Sequence, residues 1–294
     1  MGVYDHCAWF ATRDEVDIVV RRLLAPTDRS LVFRTWMEER TIAFPGGKER
    51  TADLTGIFDD PIGPETVIVF EFQSRHDPKK LATTLLEVAV LRVEAEEREQ
   101  EQRILAALVY LTGRCPLHKL EMKLGDFGTS HTTMVWNIGD EDAMAVLESV
   151  SNGGESPGIL HWASLMNGAD QIAVIDRWKE VTLQKVPDRA KRGNMAVNNG
   201  TFSELVGRGQ EWKRGLEGFD MTESTFVNEW IDKGELRRQR SLLLRLLNRR
   251  FPQQLPQQVN DLIRTQESMD LLESWFDAAT DAQSFEEFMN VLKR

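Results

Sequence analysis

The strongest constraint on this fold is a pair of apolar runs joined by one short, stiff connection. T-A-D-L-T-G-I-F at 51–58 and T-V-I-V-F-E-F-Q at 66–73 are rich in strand formers, and D-D-P-I-G-P-E between them is marked by Pro and Gly as a loop. Strands are therefore expected at about 50–58 and 66–73, paired antiparallel. With the loop centred on Ile62, Phe58 faces Thr66 and Asp53 faces Glu71. Directly opposed Cβ atoms in such a pair lie roughly 4.5–5.5 Å apart. Gln73, two residues beyond Glu71, shares its face.

Val67 and Val69 alternate with Ile68, Phe70 and Phe72, so both faces of the second strand read as covered. Opposed carboxylates in such a setting repel each other. Two readings stay open on geometry: the pair meets solvent at the open end of the sheet, or it holds a divalent cation. Mg²⁺ takes one or two carboxylates together with waters and phosphate oxygens. There it would activate a water and neutralise charge developing on a phosphodiester.

The flanking pattern places this hairpin in an α/β arrangement. Residues 12–25 read as a helix, with Thr12 and Glu15 at capping-box spacing and Val16, Val19, Val20 and Leu23 as its apolar stripe. Residues 31–44 read as strand, turned by Pro45-Gly46-Gly47. A helical pattern runs from Asp77 to about Arg103, I-L-A-A-L-V-Y-L at 104–111 reads as a strand buried on both faces, and a short strand is expected at 132–138.

Beyond residue 139 helices are expected at 140–151, 159–167, 169–181 and 201–215. The polar, glycine-punctuated V-P-D-R-A-K-R-G-N-M-A-V-N-N-G between them reads as a mobile loop or domain edge. From about 222 the pattern is all helical, with Ser268 as an N-cap and Ser284 with Glu287 as a second capping pair. The expected divisions are 1–138, 139–220 and 221–294.

Bulk properties exclude several classes. Net charge of −11 argues against general coating of polyanions, although a local basic patch could still meet nucleic acid. Cys7 and Cys115 are the only cysteines and lie far apart in sequence, which fits a reducing cytoplasm and no structural zinc. The N-terminus lacks signal-peptide character, and no apolar run approaches the ~18 residues needed to span a bilayer, so no membrane partner is expected.

R-T-A-D-L, a strand-length gap, then V-F-E-F-Q-S-R-H-D followed by a helix resembles the recombination-promoting nuclease / putative transposase family of the PD-(D/E)XK nuclease superfamily. The likeness extends loosely through the middle into F-V-N-E-W-I-D-K-G-E-L-R-R-Q-R. L-L-R-L-L-N-R-R-F-P-Q-Q-L-P is similar to a small helical domain of unknown function often appended to such nucleases.

The resemblance implies a restriction-endonuclease-like αβββαβ core with a mixed sheet, a helical extension and a small all-α C-terminal domain. It implies a Mg²⁺-dependent (or Mn²⁺-dependent) DNA endonuclease, with Asp53 and Glu71 as metal ligands and catalytic residues. Gln73, the third catalytic residue, stands where much of the superfamily has a catalytic lysine; its neutral amide can position the water or a phosphate oxygen but supplies no cation and no base. Cleavage would then lean on the metal, or the protein would be a weak or inactive nuclease fold serving as a binding or oligomerisation scaffold.

Arg75, Lys79 and Lys80 follow the triplet near the start of the next helix, where they could hold substrate phosphates or simply be solvated. Glu15 reads as a capping residue before a further ligand, and His76 as incidental. The C-terminal helix at 235–251 carries six arginines. Arg238, Arg245 and Arg249 share one face, opposite Leu236, Leu243 and Leu247. That face reads as a solvated stripe or a contact for nucleic acid or a partner, and the C-terminal helices could join a homo-oligomer. Trp136, Trp162, Trp178 and Trp230 read as packing residues.

Overall fold

In a computed structural model the chain is described over residues 2–27, 29–37, 41–44, 48–252 and 255–292. It opens with two helices, α1 (Val3–Asp14) and α2 (Val16–Leu24). The single helix expected over 12–25 is thus corrected. Thr12 lies buried inside α1, and Glu15 is the joint between the helices, its side chain capping neither. Cys7, Ala8 and Ala11 carry the earlier start: they form a small-residue face that packs at helical spacing. The stripe Val16, Val19, Val20 and Leu23 is buried, as its spacing requires.

Strands follow as β1 (Val32–Trp36), β2 (Thr41–Phe44), β3 (Lys48–Thr51), β4 (Leu54–Asp59) and β5 (Glu65–Gln73). Segment 31–44 therefore divides between two strands, and the Pro45-Gly46-Gly47 turn lies outside the described residues. Helix α3 (Lys80–Glu97) returns the chain to β6 (Gln102–Tyr110). Then come β7 (Lys119–Leu124), β8 (Phe127–Thr132) and β9 (Met134–Asn137).

The main sheet has the order β1-β4-β5-β6-β9, antiparallel as far as β5 and parallel beyond it. It is a mixed five-stranded sheet in an α/β arrangement. The β4–β5 register matches expectation, with Phe58 opposite Thr66 and Leu54 opposite Phe70. Asp60 fixes the intervening loop, one carboxylate oxygen accepting the Ile62 N–H at 3.0 Å and the other Arg103 Nη1 at 2.6 Å. All of β5 after its first residue is buried, because the sheet is covered on both sides.

The β7–β8 hairpin has no counterpart in the sequence reading. Gly125, at φ 59°, opens its two-residue loop, and L-G-D-F at 124–127 carries that signal. His131 is buried at its base, where its ring meets Thr84 Oγ1 at 3.0 Å, while Met122, Leu124 and Phe127 stay exposed toward the tip.

The helical part of the larger unit comprises α4 (Ala143–Ser151), a 3₁₀ segment at Pro157–Leu165, α5 (Ile172–Lys185), α6 (Arg189–Leu205) and α7 (Gly209–Gly215). Two corrections follow. The helix expected at 159–167 is a 3₁₀ segment, and the one expected at 201–215 is interrupted at Gly207, whose φ of 74° suits glycine.

A third correction is larger: the loop expected over 186–200 is mostly α6. Asp188 caps it by accepting the Lys191 N–H at 3.1 Å. Its asparagines face inward and are hydrogen-bonded there. Asn199 donates to the carbonyls of Leu160 (2.7 Å) and Met195 (2.8 Å) and accepts the Ser164 N–H at 2.7 Å. Asn198 meets His161 Nδ1 at 2.9 Å, and His161 Nε2 meets Asp14 at 2.9 Å. Trp162 stacks on Phe202, Trp136 meets Trp162 edge-on, and Trp178 packs against Trp212. Those tryptophans are core residues; the Trp230 side chain lies outside the described residues.

The chain divides into two compact units, Met1–Ser224 and Thr225–Arg294. The second contains α8 (Thr225–Arg250), α9 (Gln257–Thr265), α10 (Met269–Asp281) and α11 (Phe285–Leu292). Its own core includes Leu243, Leu247, Ile263, Leu272, Trp275 and Phe288. Ser268 caps α10 as expected, accepting the Leu271 N–H. Ser284 Oγ accepts the Glu287 N–H, while the Glu287 carboxylate returns to the Gln283 N–H, one residue before the expected partner. Among the described residues no helix is long and apolar enough to cross a membrane.

Asn199 joins three backbone groups of the buried 3₁₀–α6 contact. Asn199→Ala is expected to cost about 2–4 kcal/mol by leaving them unpaired, and Asn198→Ala, which breaks one side-chain bond, less. Urea denaturation of both variants checks the order; an Asn199→Ala midpoint equal to that of the unaltered chain would contradict it.

Candidate active site

At the C-terminal end of β5 the sheet presents its only deeply buried carboxylate among the strands described. Glu71 is 3% exposed, flanked by Phe70 and Phe72 in the middle layer of the fold. Asp53 sits just before β4, where the chain enters the strand, and the established register brings it opposite Glu71. Its carboxylate accepts the Phe72 N–H at 2.9 Å, which continues the ladder by a side chain where the backbone of β4 has ended. The two carboxyl groups lie close enough for each to bear on the charge of the other.

The cation missing from the E-x-Q triplet comes from the next helix. Asp77 and Pro78 lead into α3: the Asp77 carboxylate accepts the Lys79 N–H at 2.9 Å and its carbonyl accepts the Lys80 N–H at 3.0 Å. Lys80 is thereby set in the first turn of α3, and its ammonium forms an ion pair with Glu71 Oε2. Glu87, two turns further along α3 and 1% exposed, adds a second negative charge felt by both Glu71 and Lys80.

Burial drives the electrostatics. It pushes the Asp53 carboxyl up to about 7, the Glu71 charge adding to the effect, while the Phe72 N–H and Lys80 oppose it. Burial likewise pushes Glu71 up to about 7 against the pull of Lys80, with Glu87 raising it further. The pair therefore titrates as one unit that holds a proton close to neutrality. Lys80 is also raised: burial works against its charge, but Glu71, Asp53 and Glu87 together outweigh it.

Of the residues singled out in the sequence, the structure brings Asp53, Glu71 and Lys80 together. Gln73 is buried on the same strand, and its amide donates to the Phe72 carbonyl at 2.7 Å. Arg75 and Lys79 are exposed on the connection into α3 and form no ion pair among the described residues. Glu15 pairs with Lys191 of α6 and packs over Gly158, so it serves the joint between helices. His76 meets the Tyr110 hydroxyl at 3.3 Å. Glu87 was missed because it looks like one more charge on a helix; its position seven residues beyond Lys80, two turns on and on the same face, was the available signal.

Among the described residues no group of three or more His, Cys, Asp or Glu side chains converges as a metal cage. Two buried carboxylates that repel each other still fit Mg²⁺, a hard cation that usually takes only one or two carboxylates and fills its shell with waters and substrate oxygens. Comparison with family models, with curated proteins and with solved structures finds no match to this chain.

The sign of the pH dependence follows from the upward shifts. The folded chain keeps a proton that the unfolded chain releases above about pH 4, so stability from the pair is present at low pH and lost as pH rises through about 7. Asp53→Asn removes that loss and keeps an acceptor for the Phe72 N–H. It is expected to stabilise the protein by about 2–4 kcal/mol at pH 8 and by under about 1 kcal/mol at pH 4.5. Urea titrations at both pH values check this; a gain independent of pH would rule out the shared proton.

Proposed function

We propose that this chain is a metal-dependent endonuclease acting on DNA, built on a restriction-endonuclease-like core. The observation that carries the reading is the Asp53–Glu71 pair with the Lys80 ammonium on Glu71, set at the end of the central strands. The order of one helical layer, the β1-β4-β5 meander, α3 and β6 agrees with the αβββαβ core implied by the R-T-A-D-L and V-F-E-F-Q-S-R-H-D resemblance. No family match adds to it.

In this reading Asp53 and Glu71 would hold Mg²⁺ or Mn²⁺, which would supply water activation and neutralise charge on the phosphodiester. Lys80 takes the part that a lysine two residues beyond the glutamate would play. Its ammonium fixes the Glu71 carboxylate and would supply positive charge near the phosphoryl and leaving oxygens, which gather negative charge. Gln73 holds the end of β5 through the Phe72 carbonyl. Arg75 and Lys79, exposed at the entry to α3, are free to meet flanking phosphates.

A second reading, a non-catalytic binding scaffold, draws on the exposed Met122, Leu124 and Phe127 of the β7–β8 hairpin, an apolar surface of the kind that binds another protein. One assay separates the two. Purified protein with Mg²⁺ or Mn²⁺ should nick and linearise plasmid DNA, Glu71→Gln and Lys80→Met should each lower the rate by about 10²-fold or more, and Gln73→Ala should lower it less. Cutting that is indifferent to both Glu71 and Lys80 rejects this site, and its complete absence with either metal favours the scaffold.

A further inference from the structure

The six arginines of α8 divide into two kinds. Arg240 and Arg250 are used within the unit. Arg240 Nε donates to the Gln266 carbonyl at 2.7 Å beyond the end of α9, and Arg250 donates to the carbonyls of Ala279 (2.9 Å), Thr280 and Ala282 (3.0 Å) at the end of α10. They satisfy helix C-termini with positive charge, where it is favoured. Arg237, Arg238, Arg245 and Arg249 are exposed and form no ion pair among the described residues.

Arg238, Arg245 and Arg249 fall within about 40° of one another around the helix and are spaced along it by roughly 10 and 6 Å. Residues 236–260 contain no Asp or Glu, and the exposed Glu235 marks the N-terminal edge of the face. Most acids of the same unit lie further along the chain, among them Asp270, Glu273, Asp277, Asp281, Glu286 and Glu287, all exposed and none paired with these arginines. In a chain of net charge −11 this is a pronounced local reversal of sign.

From this we infer that the exposed face of α8 is a docking surface for the phosphate backbone of a nucleic acid duplex. Three features favour that partner over an acidic protein. Every cation on the face is arginine, whose planar fork matches phosphate oxygens two at a time. The spacing spreads the charges along a line, as a backbone does. No aromatic side chain is available on the face to form the buried anchor that a protein interface needs. Ser241 and Asn248, which flank the arginines, bond to the helix's own carbonyls and leave the guanidinium groups as its recognition chemistry.

This surface does not depend on the nuclease reading, and the test keeps the two apart. Fluorescence anisotropy of a labelled duplex of about 20 base pairs is measured in EDTA with full-length protein carrying Glu71→Gln, so cleavage plays no part. Adding Arg238→Gln, Arg245→Gln and Arg249→Gln together should weaken binding at least about 10-fold at low salt. It should also make the slope of log affinity against log salt shallower by about 2–3, because each phosphate that an arginine neutralises contributes about 0.9 to that slope. Lys119→Gln with Lys123→Gln, on the β7–β8 hairpin, should leave binding unchanged. No duplex binding, or binding unaffected by the arginine changes, overturns the inference. So does self-association abolished by the arginine changes without any duplex binding, since that would make a second copy of this chain the occupant.

Discussion

The larger unit depends on the burial of β5. This strand pairs antiparallel with β4 on one side and parallel with β6 on the other, and nearly every residue in it is withdrawn from water. A strand in that position cannot carry an ordinary charge at its end. Glu71 is tolerated there because Lys80 reaches it from the helix that must follow β5 in a parallel crossover. Sheet topology and site chemistry are thus one constraint: the crossover that allows β6 to pair also returns α3 over the buried carboxylate.

The energetic balance explains why the cluster is polar yet unsettled. A buried carboxylate pair with a single ammonium leaves negative charge uncompensated, and Glu87 adds to it. Removing charge from water costs several kcal/mol per ion unless it is well paired. The fold answers with a retained proton, an ion pair and one backbone N–H, which offset the cost without cancelling it. Such an arrangement is strained in the electrostatic sense, and it is where a cation or an electrophilic substrate would gain most.

Much of the first unit was legible because its signals are local. The Pro- and Gly-marked loop at 59–65 fixed the β4–β5 register, and the Val and Leu stripe fixed α2. Carboxylates facing each other across the hairpin could be read from that register alone. Lys80 was visible only as one cation in a group of three, since linear sequence does not say which of them turns inward. That depends on the turn at Asp77-Pro78 that leads into α3. Segment 186–200 failed for the opposite reason: Asn194, Asn198 and Asn199 suggest solvent by composition, whereas here they are buried and hydrogen-bonded to carbonyls, a histidine and a serine. Polarity reports on water only when no internal partner exists.

The Glu71–Lys80 pair also has a kinetic side. Its two members are close in sequence, and Asp53 joins them through a hairpin, so all the charges of the cluster come from residues 53–87. Contacts of such short range form early, since closing a loop of about ten residues takes only tens of nanoseconds. The hairpin and α3 can therefore bring their charges together while that end of the sheet is still wet, with desolvation following as the remaining layers close. Folding in that order would spare the chain the step of dragging a bare carboxylate into a finished core.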